Sequence, residues 1–163
     1  MKKILTVISI GIVALAGFMT WNVFTVKNNQ EKLTRLIANP KATVVAGTSC
    51  GCCKLYGQYL KKQGFEVDFQ FGSQEEIDRY KDSNGIPANL RSCHTTRIGD
   101  YFIEGHVPVE AIIKFMQEKS PHKGIALPGM PSASPGMPGP KYEPFDIHTI
   151  TQDGKDGGTF VQL

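Results

Sequence analysis

The sequence predicts an α/β domain, a sheet with helices packed on it, and three observations predict it. A β-branched run at 42–46 leads into an apolar stripe of helical spacing and then into alternating apolar and polar residues at 65–71, the order strand, helix, strand. A two-residue Gly99-Asp100 turn separates two more short strand patterns, which makes them an antiparallel hairpin. A third apolar stripe, at Val109, Ile112, Ile113 and Met116, repeats at i, i+3, i+4 and i+7 and so marks a further helix. At 163 residues the chain has room for one such domain and terminal additions, not for two full domains.

The first element is an export segment. Residues 1–26 read as a signal anchor or signal peptide: Met-Lys-Lys, then an apolar run from Ile4 to about Phe24 broken only by Thr6, Ser9, Thr20 and Asn22. A run of about 20 uncharged residues can span a bilayer, whereas a cleaved signal carries a shorter stretch ending at a small-x-small site. Ala14-Leu15-Ala16 is such a site, but cutting there leaves Phe18, Met19, Trp21, Val23 and Phe24 on the new N-terminus. An anchor through residues 4–24 in the inner membrane is favoured, and the cleaved form stays open. Lys2 and Lys3 face Lys27, Lys32, Arg35 and Lys41 across the run, so charge does not fix its orientation. Without Lys2 and Lys3 the balance is 16 basic to 15 acidic residues, which removes the electrostatic motive for nucleic-acid binding.

Residues 27–40 are polar with a short apolar stripe, a linker of partly helical character that Pro40 closes. Ala42-Thr43-Val44-Val45-Ala46 then reads as a buried strand ending at Gly47. A helix starts near Cys52, with Leu55, Tyr56, Tyr59 and Leu60 on one face and Gly64 as its stop. Residues 65–71 alternate as a strand with one face buried. Ser73-Gln74-Glu75-Glu76 is a capping box opening a second helix to about Ser83, which Asn84-Gly85-Ile86-Pro87 breaks. Thr95–Ile98 and Tyr101–Glu104 form the hairpin, and Pro108 at the first helical position opens the third helix. Beyond Ser120 the chain is rich in Pro and Gly, a long loop with one last hairpin from about Phe145–Ile150 with Thr159–Gln162. The order βαβ-α-ββ-α, with Cys-x-x-Cys where the first strand meets the first helix, is the layout of a thioredoxin-like domain over 41–120. The Pro/Gly/Met-rich extension, 121–163, packs on it.

All four cysteines fall in this domain: Cys50, Cys52 and Cys53 at the strand–helix junction, and Cys93 just before the third strand. Unpaired amides and the helix dipole favour thiolate there, so depressed thiol pKa values are expected. If the third strand passes beside the first helix, four sulfurs converge. Three readings follow. The cysteines could form structural disulfides, for example Cys50 with Cys53 and Cys52 with Cys93. They could exchange disulfides through Cys50 and Cys53, for which Cys52 adds little. They could bind metal, where crowded thiolates suit soft ions, and this reading is favoured. Cu(I) comes first, because Met130 and Met137 in a repeated Pro-Gly-Met offer thioethers. Zinc comes second, because structural zinc sites use two separated Cys-x-x-Cys pairs. Met130 and Met137 are equally ordinary fillers of apolar surface. His94 could ligate, bond to sulfur or face solvent. His106 could cap a turn or contact metal. His122 and His148 show no surrounding constellation.

Five blocks then carry a family resemblance: Thr48-Ser49-Cys50-Gly51-Cys52-Cys53, Leu90-Arg91-Ser92-Cys93-His94-Thr95, Glu104-Gly105-His106-Val107-Pro108, Gly124–Pro131 and Ser134-Pro135-Gly136-Met137. In order and spacing, over residues 42–150, they resemble the CopG-like copper-resistance proteins, also known as domain of unknown function 411. The resemblance implies a thioredoxin-like fold in the bacterial envelope, copper on Cys50, Cys52, Cys53 and Cys93, and a proposed role in copper tolerance that extends to copper redox chemistry. Met130 and His106 lie in its blocks without a clear role. The long apolar N-terminal segment departs from the simply secreted pattern of many relatives. The expectation is therefore a periplasmic domain, anchored or secreted, that binds copper ions and meets other envelope copper-handling proteins. The alternative is a periplasmic thiol–disulfide oxidoreductase acting through Cys50 and Cys53.

Overall fold

The computed structural model describes residues 20, 21, 23–33 and 40–163. The expected export segment, with its span at 4–24, lies almost wholly outside the described residues. Among those described, no helix is long and apolar enough to cross a membrane.

The chain builds a mixed α/β fold around one seven-stranded sheet of order β2-β1-β3-β4-β5-β6-β7. Strand β1 (Lys41–Gly47) pairs in parallel with β2 (Glu66–Gly72), and helix α1 (Gly51–Lys62) makes the crossover that a parallel pair requires. The capping box forms as expected: Ser73 Oγ accepts from the Glu76 amide, Glu76 accepts from the Ser73 amide, and α2 (Gln74–Ser83) begins there. A 3-10 turn, Ala88–Leu90, leads to β3 (His94–Ile98), antiparallel to both β1 and β4 (Tyr101–Glu104). Helix α3 spans Val109–Gln117. Pro108 stands just outside it as the N-cap, with ψ 144°, one position earlier than expected.

The C-terminal stretch holds more order than its composition predicts. Strand β5 (Gly124–Ala126) pairs in parallel with β4, and the hairpin of β6 (Asp146–Ile150) and β7 (Asp156–Gln162) continues the sheet. The last hairpin was legible in sequence. Strand β5 was not, because three residues give no measurable period. Its backbone runs so close to β4 that a Cβ on Gly124 would meet the Phe102 carbonyl oxygen at 1.9 Å, so the strand needs the glycine that made the segment look like loop.

One sheet face carries the main core, where Val44, Ile103, Ile125 and Ile147 pack with Tyr56 and Leu60 of α1 and Ile112 and Phe115 of α3. Alternate residues of the same strands, Phe102 and Ala126, join Ile86, Leu90 and Ile150 in a smaller cluster on the other face. Residues 23–33 are helical, and Leu33 is 1% exposed within the main core. Asn29 donates to Glu110 Oε1 at 3.0 Å and Gln30 donates to the Lys62 carbonyl at 3.0 Å. Part of the expected linker is thus packed on the domain, with about 2 kcal/mol of burial at Leu33 alone.

Candidate metal centre

The end of β1 and the start of α1 place three cysteines within one turn. Cys50 is the N-cap of α1, with extended backbone (φ −74°, ψ 95°), and its sulfur accepts from the Cys53 amide at 3.3 Å. Cys53 is fully buried, and Cys50 and Cys52 are half-buried. Antiparallel pairing of β3 with β1 sets Ala46 opposite His94, which brings the preceding Cys93 to the helix mouth. Cys93 Sγ lies 3.6 Å from Cys53 Sγ and 3.9 Å from Cys52 Sγ, and Cys50 and Cys52 sulfurs are 3.5 Å apart. All four sulfurs lie within 4.8 Å of one another.

Cys50 and Cys53 are joined as a disulfide, with Cα atoms 5.4 Å apart, while Cys52 and Cys93 are free thiols. Of the two structural disulfides weighed from sequence, one is formed and the other is not. Cys93, outside the trio for which depressed thiol pKa values are expected, has its pKa pushed up to about 12. Burial is the main cause, and the neighbouring Cys52 thiol adds to it. Cys93 sits on a strand-entry loop instead of in the first turn of α1, so it gains none of that helix's amides.

Both adjacent histidines belong to the site. His94 is fully buried, with Nδ1 3.3 Å from Cys93 Sγ and Nε2 left without a partner. His106, also buried, sets Nε2 3.1 Å from Cys93 Sγ and donates from Nδ1 to the Pro135 carbonyl at 2.7 Å. Burial holds the pKa of both rings below the ordinary histidine value, so both are neutral at pH 7. The Tyr56 ring packs 4.7 Å from His94 and 5.5 Å from His106, and its hydroxyl donates to the Val107 carbonyl at 2.9 Å.

The two Pro-Gly-Met repeats fold over this centre. Ser92 Oγ donates to the Gly129 carbonyl, and Pro135 receives the His106 proton. Gly136 has φ +85° and lies so near α1 that a Cβ would meet the Tyr56 amide nitrogen at 2.8 Å and the Cys52 oxygen at 3.1 Å. Met130 is 52% exposed and Met137 partly buried. The loop's backbone therefore supplies its visible contacts to the centre.

Sequence reasoning missed the polar network beneath Cys93. Lys81 and Glu104, 2% and 0% exposed, form an ion pair at 2.6 Å. Lys81 Nζ also donates to the Ser92 carbonyl at 2.5 Å, the Ser92 amide donates to Glu104 Oε1 at 2.7 Å, and Thr95 Oγ1 donates to Glu104 Oε2 at 2.5 Å. Ser92, just before Cys93, is thereby tied to α2 and to the strand carrying Glu104, and Thr95, two residues after it, to Glu104. Burial raises the Glu104 pKa, against the pull of Lys81, the Thr95 hydroxyl and the Ser92 amide. A lone Lys on a polar helix gave no signal of this. His148 is a second omission: Nδ1 lies 2.9 Å from Asp156 and Nε2 3.2 Å from Asp146. The Asp-x-His spacing on one strand face was the available clue.

Residues 90–137 match the family described as Protein of unknown function, DUF411. Two solved structures, titled copper resistance protein copG Form 1 and Form 2, are each 32% identical to the chain with a TM-score of 0.68. The match covers 77% of this chain and 98% of theirs. The chain belongs to the CopG copper-resistance family. No curated protein matches it. The matched block, residues 90–137, contains Cys93, His94, His106, Met130 and Met137, while Cys50, Cys52 and Cys53 lie upstream of it.

Proposed function

We propose that this protein holds Cu(I) on Cys50, Cys52, Cys53 and Cys93 and serves copper tolerance in the bacterial envelope. The observation that carries the reading is the convergence of four sulfurs within 4.8 Å of one another in a chain of the CopG copper-resistance family. Thiolates are the donors that select monovalent copper. Loading the full set requires the Cys50–Cys53 disulfide to take two electrons and two protons from a dithiol reductant, which leaves as its own disulfide. The apolar run at 4–24, almost wholly outside the described residues, supports export to the periplasm and an inner-membrane anchor. Zinc is the second ion for the same four thiolates, since a tetrahedral site asks for sulfur separations of about 3.8 Å.

Anaerobic titration of the reduced protein with Cu(I) against a competing chelator tests the proposal. Affinity far tighter than micromolar, lost in Cys93→Ser and retained against excess Zn(II), is the expected result. Micromolar affinity, or affinity indifferent to Cys93→Ser, overturns it.

The disulfide at the mouth of α1 favours a second reading, a thiol–disulfide oxidoreductase. Once a dithiol reductant has opened the Cys50–Cys53 disulfide, half-buried Cys50 would attack a substrate disulfide and buried Cys53 would resolve the mixed disulfide, releasing the substrate dithiol and re-forming the Cys50–Cys53 bond. Metal-free reduction of a model disulfide that survives Cys52→Ala and Cys93→Ser would establish it in place of the first.

A further inference from the structure

The helical residues 23–33 are docked on the domain at one end and bare at the other. Leu33 is buried, Asn29 and Gln30 donate to Glu110 and to the Lys62 carbonyl, and Gln30 lies so near Gly64 that a Cβ there would meet its Cγ at 3.2 Å. Toward the N-terminus the burial stops: Phe24, Val23 and Trp21 are 68%, 68% and 71% exposed. Large apolar side chains gathered at such exposure mark an interaction surface.

Basic residues follow at once. Lys27 stands one helical turn past Val23, about 6 Å further along the axis, and the exposed Lys61 and Lys62 end α1 beside Gln30. A groove of about 620 Å³ runs between them, lined by Val23, Val26, Lys27, Gln30 and Lys62. It is largely apolar with two ammonium groups, and Glu31, the nearest carboxylate along the chain, is outside its lining. Apolar and aromatic side chains followed by lysines about 6 Å on match the profile of a bilayer across one interface, which is about 5–8 Å deep.

We propose that this end of the domain seats on an anionic phospholipid bilayer, with Trp21, Val23 and Phe24 in the interface and Lys27, Lys61 and Lys62 on lipid phosphates. The proposal rests on the inner-membrane reading above and adds an orientation to it. Each lysine at an anionic surface favours contact about fivefold, so the three together hold the end of α1 against the headgroups. Cys50 caps the opposite end of that 12-residue helix, about 18 Å away along its axis. The sulfur cluster is thereby turned from the lipid toward the aqueous compartment. Docking through Asn29, Gln30 and Leu33 fixes this direction, whereas a free linker would let the domain tumble.

The test places the full chain in nanodiscs of phosphatidylglycerol with phosphatidylethanolamine, in nanodiscs of phosphatidylcholine, and in uncharged detergent, and follows acylation of each lysine by mass spectrometry. In the anionic discs Lys27, Lys61 and Lys62 are expected to react at least about fivefold more slowly than in detergent. Lys54, near the sulfur cluster, and Lys155, in the last hairpin, should keep their rates. In phosphatidylcholine Lys61 and Lys62 should regain most of their reactivity. Protection equal in the two lipids or absent from both overturns the proposal, as does protection already present in detergent, which would mark a second copy of the chain as the occupant. Trp21, the only tryptophan in the chain, reports depth: lipids brominated near the glycerol should quench it more than aqueous iodide does, and the reverse order overturns the assignment. Alkaline extraction of membranes reads the anchor separately. Retained protein with unprotected lysines ends this proposal alone; extractable protein whose lysines anionic bilayers still shield ends the anchor alone.

Discussion

Removing the charge of Lys81 tests whether the buried ion pair positions Cys93. In Lys81→Met, the side chain keeps its volume, but the Glu104 carboxylate, 0% exposed, loses its counter-ion and keeps only the Ser92 amide and the Thr95 hydroxyl as donors. Breaking one side of a buried pair costs about 3–5 kcal/mol. Glu104 escapes part of that by taking up a proton, which sets a ceiling of about 3.7 kcal/mol at pH 7 and about 1 kcal/mol at pH 5. The sign follows from the raised folded pKa of Glu104. The folded state then holds a proton that the unfolded chain releases above about pH 4.3, so stability falls as pH rises. Urea unfolding should move the midpoint down by about 2 M at pH 7 and by far less at pH 5. The double variant Lys81→Met/Glu104→Leu should recover most of the lost stability, because no charge stays buried, yet leave the Cys93 loop untied and copper binding weakened. A pH-independent penalty, or a double variant no more stable than the single, would refute the reasoning.

Three further outcomes follow from other contacts. Gly136→Ala places a Cβ against the α1 backbone at a left-handed φ of +85°, which neither backbone relieves; a loss of about 1–3 kcal/mol is expected, read by thermal melting, with loosening of the His106–Pro135 bond seen as a shift of the imidazole NMR signals. His148 is pulled down by burial, but its bonds to Asp156 and Asp146 prevail and raise its pKa. Protonated His148 therefore stabilises fully below about pH 6.5, and that contribution is lost as pH climbs through the folded value. His148→Gln should lower Tm more at about pH 5.5 than at about pH 8.5; an equal change at both would remove the charge from the account. Leu33→Ala should cost about 2–5 kcal/mol in chemical denaturation, as a core position does, while a free linker would show almost no change.

Local chemistry made much of the fold legible. Gly99-Asp100 could only turn tightly, Ser73 with Glu76 could only start a helix economically, and the alternation at 65–71 could bury only one face. The same holds for the sulfur trio, whose placement at a strand–helix junction follows from residues adjacent in the chain. Helical packing of Leu33, by contrast, depends on a groove made by elements far along the sequence, and β5 exists only because β4 lends it an edge.

The centre divides along the same line. Residue type and spacing alone determined that soft donors crowd the start of α1, that Cys93 is the distant partner, and that His94 and His106 are its candidate neighbours. Only the tertiary structure decided that both imidazoles converge on the Cys93 sulfur, that Pro135 sets the His106 tautomer, that Lys81 and Glu104 hold the loop from beneath, and that Met130 and Met137 sit on a strap whose backbone makes the contacts. The physical reason is that donor identity belongs to single residues, whereas burial, pKa and hydrogen-bond partners belong to pairs brought together by β1–β3–β4 pairing across more than 40 positions of chain.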